Sequence, residues 1–65
     1  MKRYGDTKTN LTLTEKAFKA YSECDPCSII EHDDGSFSIM GIDERHGMTE
    51  QEVNAYFEQL ADEIF

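Results

Sequence analysis

The pair Asp34-Gly35, set between short apolar runs, constrains this chain more than any other stretch. Such a pair is a strong hairpin signal, because a type I′ turn needs positive φ at both central residues. Ser28 to Ile42 is therefore predicted to form one antiparallel β-hairpin, spanning about residues 28–42. A two-residue turn places Asp33 opposite Ser36, His32 opposite Phe37, Ile30 opposite Ile39 and Ile29 opposite Met40. One face then carries Ile30, His32, Phe37 and Ile39, and the other Ile29, Glu31, Ser38, Met40 and Ile42. A lone hairpin is marginal in water, so neighbouring segments must cover it.

Both flanks read as amphipathic helices. The first covers about residues 13–24, within Leu11 to Cys24. Thr12 and Glu15 fit a capping box, and Thr14 competes as the N-cap. Ala17, Phe18, Tyr21 and Cys24 share one side, and Lys16, Lys19 and Glu23 the other. Asp25-Pro26 ends the helix, since the residue before a proline avoids helical geometry. The last helix covers about residues 49–64 and opens on a second capping box, Thr49 with Glu52. Val53, Tyr56, Phe57, Leu60 and Ile64 form its apolar stripe, and Gln51, Glu58 and Asp62 point away. Asp62 and Glu63 lie at the negative end of the helix dipole, so local stability does not explain them.

Gly41 signals a bulge or a close backbone approach, and Asp43 to Gly47 reads as a polar loop. Residues 1–10 lack periodicity and read as a flexible basic arm that Tyr4 can pin to the body. The fold class expected is α+β: a small two-layer α-β-β-α domain over residues 11–65, with a central hairpin packed by two helices. A chain of 65 residues buries only about 60% of its unfolded surface, enough for one thin core.

Charge is the most informative bulk property. The net charge is −8, and it is unevenly spread. Residues 1–19 hold Lys2, Arg3, Lys8, Lys16 and Lys19 against Asp6 and Glu15, while residues 20–65 hold Arg45 alone against twelve carboxylates. Such a field repels nucleic acid and anionic lipid and attracts basic partners. No apolar run is long enough to span a bilayer, and no basic start leads into an apolar leader, so a cytoplasmic protein is expected.

Cys24-Asp25-Pro26-Cys27 is the one motif with conventional chemistry. A redox role needs a preceding buried strand and a helix starting at the first cysteine, whereas Cys24 ends a helix. Cys24, Cys27 and His32 match the first three positions of a zinc-knuckle spacing, C-x₂-C-x₄-H. The fourth falls on Phe37, which cannot bind metal, leaving His46. Yet His32 lies about four strand residues, roughly 13 Å, beyond Cys27. Two reduced thiols are therefore expected, since a disulfide would close a very tight ring and a reducing cytosol opposes it. Asp33-Asp34-Gly35 fails the calcium-loop pattern, which would start at Ile30. No arrangement of nucleophile, base and orienting acid is present in sequence. Neither an enzyme nor a cofactor is expected.

The carboxylates themselves remain: those of the hairpin turn and the last helix, chiefly Asp33, Asp34, Glu52, Glu58 and Asp62. Gathered on one side, they would compete for a basic cleft through the electrostatics that phosphates use. In size and charge the chain resembles the small acidic inhibitors that phages deploy against host nucleases, including anti-CRISPR and anti-restriction proteins. The resemblance implies a non-catalytic protein that blocks a basic partner, a nuclease or other nucleic-acid-binding protein, by nucleic-acid mimicry. It implies no direct contact with nucleic acid or membrane. The alternative is a zinc-stapled or homodimeric protein-binding module whose acidity serves only solubility.

Overall fold

Residues 2–4, 9–24, 26–41 and 43–65 are described by a computed structural model. The elements run β1 (Lys2–Arg3), α1 (Glu15–Glu23), β2 (Cys27–Glu31), β3 (Phe37–Gly41), β4 (Arg45–Met48) and α2 (Glu50–Ile64). The strands form one antiparallel sheet in the order β1-β2-β3-β4. Both helices pack on the same sheet face, giving the two-layer α+β domain expected. The core joins Ile29, Phe37 and Ile39 of the sheet to Ala17 and Ala20 of α1 and Val53, Phe57 and Ala61 of α2, with Leu11 alongside. No helix among the described residues is long and apolar enough to cross a membrane.

The hairpin forms in a register one residue away from the expected one. Ile29 faces Ile39, Ile30 faces Ser38 and Glu31 faces Phe37. Three residues, Asp33, Asp34 and Gly35, close the turn. The His32 N–H donates to the Ser36 carbonyl at 2.9 Å, and the Gly35 N–H donates to the His32 carbonyl at 3.0 Å. Gly35 has φ +88°, and no non-glycine residue among those described, Asp34 included, has positive φ, which excludes the type I′ pair. A type I turn followed by one left-handed glycine satisfies the same Asp-Gly sequence with a three-residue loop. A one-residue slip moves side chains across the sheet. Ile29, Glu31, Phe37 and Ile39 therefore share the helix-facing side, and Ser28, Ile30, His32, Ser38 and Met40 the other.

Two short strands flank the hairpin. Within the segment read as an arm, Lys2 pairs with Glu31 and Arg3 with Ile30. Tyr4 donates its N–H to the Ile29 carbonyl at 2.8 Å and packs edge-on against Tyr21, which meets Phe57 likewise. Gly5 to Lys8 lie outside the described residues. The stretch read as a polar loop contains β4, paired to β3.

Helix α1 starts later than its first capping signal suggests. Thr14, not Thr12, is the N-cap, and its hydroxyl accepts the Ala17 N–H at 3.2 Å. The buried face then holds Ala17 and Ala20, while Phe18 sits one 100° step aside and is 51% exposed. Helix α2 opens on the expected box, Thr49 and Glu52 satisfying each other's backbone N–H. Successive contacts pair Thr14 with Glu58, Lys16 with Asp62 and Lys19 with Phe65. The helices therefore run parallel, as three intervening antiparallel strands require.

Cys24 and Cys27 are joined as a disulfide, against the expectation of reduced thiols. Cys24 leaves α1 in an extended conformation, and the turn at Pro26 brings the two Cα atoms to 5.5 Å, within the usual bridged range. The end of β3 runs close against this turn. Gly41 has φ +133°, and a Cβ there would lie 2.0 Å from the Pro26 carbonyl oxygen. Gly35 has open space around the same position. Gly35→Ala is thus expected to lose only the roughly 1–3 kcal/mol of left-handed backbone strain, and Gly41→Ala to lose that plus the clash. Chemical denaturation of both variants checks this, and equal losses would refute the close approach at Gly41.

Candidate functional site

The three-residue turn builds an acidic tip. The Asp34 carboxylate accepts the Ser36 hydroxyl at 2.7 Å and the Ser36 N–H at 3.0 Å. These two bonds, the hydroxyl's first, hold the Asp34 carboxyl below its ordinary pKa. Asp33 is exposed beside it. The register slip adds a carboxylate absent from the expected set. Glu31 stands opposite Phe37 on the helix-facing side and is only 7% exposed. Among the described residues its hydrogen-bond donor is the Asn10 N–H, which reaches Oε1 over a long 3.4 Å. A carboxylate offers about four acceptor positions, of which one is filled by a donor among the described residues.

Glu31 lines two adjoining clefts. One, of about 200 Å³, also takes in Asn10, His32, Asp33 and Gly35. The other, of about 490 Å³, runs past Asp34 and Phe37 to Met48 and Glu50. Glu50 then continues into a groove between α2 and the lead-in to α1, which includes Thr12, Thr14, Asn54 and Glu58.

Glu50, Asn54, Glu58 and Asp62 form a row that winds slowly round α2, rising about 6 Å at each i, i+4 interval. Each is fixed by the neighbouring segment. Glu50 accepts the Thr12 N–H at 2.9 Å, and Asn54 accepts the Thr14 N–H at 2.8 Å and donates to the Thr12 carbonyl at 3.0 Å. Glu58 accepts the Thr14 hydroxyl at 2.6 Å, and Asp62 pairs with Lys16. These polar contacts zip the parallel helices along their solvent edge.

Of the five carboxylates singled out from the sequence, the structure gathers Asp33 and Asp34 with Glu31 and Glu50 at the tip. Glu58 joins them through the groove it shares with Glu50. Asp62 lies one turn further on, in a concavity with Glu15, Lys16, Lys19, Ala61 and Phe65. Glu52 is committed to the Thr49 cap and lines none of these clefts. Sequence reasoning counted Glu31 and Glu50 among the twelve carboxylates of residues 20–65 without singling them out, and it missed Asn54. The i, i+4 line through Glu50 and Asn54 was the available signal for two of them, and the correct register was needed for Glu31.

The candidate metal ligands separate. The disulfide removes Cys24 and Cys27 as thiolates, so the cysteine-based zinc staple loses half its ligand set. His32 and His46 instead meet at Ser38 on the opposite sheet face. Among the described residues, no three or more His, Cys, Asp or Glu side chains converge as a metal site.

Comparison of this chain with protein-family models, with curated proteins and with solved structures finds no match.

Asp34 gives a direct check on the tip. Its folded pKa is depressed, so its contribution to stability is present above the unfolded value and is lost as pH falls through the folded value. A carboxyl-detected NMR titration should place its midpoint below that of ordinary aspartate. Ser36→Ala should move that midpoint up toward the ordinary value, and an unmoved midpoint would mean that Ser36 does not hold the carboxylate.

Proposed function

We propose that this protein is a non-catalytic acidic interaction protein that binds and blocks a basic, nucleic-acid-handling partner. The observation that carries the reading is the continuous acidic run from the hairpin tip through Glu31 and Glu50 to Glu58, most of it held by short local contacts. Charges fixed before binding lose little side-chain freedom on association, which favours recognition over mere solubility. Glu31 adds depth to it. A buried carboxylate with one long hydrogen bond gains charge-assisted bonds when a guanidinium or ammonium enters the cleft.

In this reading the carboxylates occupy the positions that nucleic-acid phosphates take on the partner. Attraction between the −8 chain and a basic cleft speeds encounter and weakens with salt. Blocking is then steric and electrostatic, and it needs no bond-making chemistry from this chain.

The test is capture of partners on the tagged protein from a nuclease-treated bacterial lysate, with elution along a salt gradient. Wild type runs beside Asp33→Lys/Asp34→Lys and Glu31→Gln, each first shown to be folded by circular dichroism. The expected outcome is a salt-labile nucleic-acid-handling protein held by wild type and released by the double variant at lower salt. Glu31→Gln should weaken retention without abolishing it. A partner held equally by all three proteins, or no basic partner at all, would overturn the proposal.

A further inference from the structure

On the sheet face turned away from the helices, three side chains converge that the acidic surface does not use. Ser38 lies on the inner strand β3 and is 1% exposed. His32 Nε2 approaches its Oγ at 2.6 Å from the β2 side, and His46 Nδ1 at 3.0 Å from the β4 side. The convergence has a backbone cause. Between the pairs Phe37–Met48 and Ile39–Arg45 there is one residue on β3 but two, His46 and Gly47, on β4. Gly47 takes φ +67° at this bulge, and His46 reaches Ser38 from it. Bulges re-aim single side chains in this way.

A serine hydroxyl has one proton and can donate to only one of two flanking ring nitrogens. It can accept from the N–H of the other, so the cluster brings two imidazole nitrogens to one oxygen. The outer nitrogen of His46, Nε2, faces Glu44 Oε1 at 3.7 Å. At that separation the Glu44 carboxylate acts on the ring as a nearby negative charge, which favours a cation at this place.

We propose that His32 Nε2 and His46 Nδ1 bind one divalent transition-metal ion, zinc-like in preference, over Ser38. The Ser38 oxygen is the third polar atom and water completes the set. Tetrahedral zinc with bonds of about 2.0–2.1 Å separates neighbouring ligand atoms by about 3.3 Å. The nitrogen–oxygen distances here are 2.6 Å at His32 and 3.0 Å at His46, so both rings must draw back from Ser38 to admit the ion. Imidazole selects zinc, nickel and copper, whereas the carboxylates elsewhere suit magnesium and calcium. The ion would bridge β2 to β4 across β3. Neither cysteine takes part.

Calorimetric titration with zinc chloride near pH 7.5 tests the site, with magnesium chloride as the control for carboxylate binding. The proposal expects one saturable zinc equivalent, a raised melting temperature and amide shifts at His32, Ser38, Glu44 and His46. His46→Gln, at an exposed position, and His32→Gln should each weaken zinc binding at least tenfold, and Glu44→Gln should weaken it less. Absent zinc saturation, zinc binding undiminished in His46→Gln, or shifts confined to the acidic clefts would overturn the site. None of these outcomes bears on the basic-partner reading.

Discussion

Which side chains reach the helices depends on the count of residues in one turn. Within that turn only Gly35 takes positive φ, the Asp34 carboxylate holds both polar groups of Ser36, and the loop closes on three residues. With that count Ile29, Phe37 and Ile39 fall on the face that Val53, Phe57, Ala17 and Ala20 cover. Because strand side chains alternate with a period of two, the same choice sends His32 and Ser38 to the uncovered face. It also carries Glu31 to the covered side, where the sheet edge opens into a cleft. Core, acidic cleft and histidine cluster thus share one local cause.

The second constraint is the parallel packing of α1 and α2. Side-by-side parallel helices align their dipoles unfavourably, and neither last turn carries a basic residue to compensate. What joins them is Ala17 and Ala20, small enough for close packing, and the polar line of Glu50, Asn54, Glu58 and Asp62 along the outer edge. The carboxylates of α2 therefore have two roles. They hold the lead-in to α1 in place, and they remain at the surface as ordered negative charge. A solubilising acidic face needs no such fixation. This is the physical reason for reading the charge as recognition.

Much of the fold was legible because its signals are local. The Thr49–Glu52 box and the Val53/Phe57 spacing define α2 from sequence alone. Gly41 announced a close backbone approach, and Pro26 proved to be the neighbour. The misreadings came where two local solutions compete or where no local signal exists. Asp34-Gly35 serves a two- or a three-residue turn, and the choice exchanged the faces of the β2 side chains relative to those of β3. Thr12 and Thr14 both cap well, but Thr12 is spent on Glu50 and Asn54 through its backbone. Arg45 to Met48 has no alternating pattern, being bulged and mostly exposed, so β4 was invisible. The candidate site was legible in part. Asp33, Asp34 and Glu58 were named from charge and exposure, while Glu31 and Glu50 needed the register and the helix pairing.

The hairpin register is thus the claim on which the core, the cleft and the histidine cluster all stand, and NMR reads it directly. In an antiparallel ladder, opposed residues that share no hydrogen bond bring their Cα atoms to about 4.5 Å, and their Hα protons give strong cross-strand NOEs. The structure predicts such NOEs for Ile29 with Ile39 and for Glu31 with Phe37. Cross-strand NOEs pairing Ile30 with Ile39, or His32 with Phe37, would establish the two-residue turn instead. That result would return Glu31 to the other face and dissolve the cleft on which the functional reading rests.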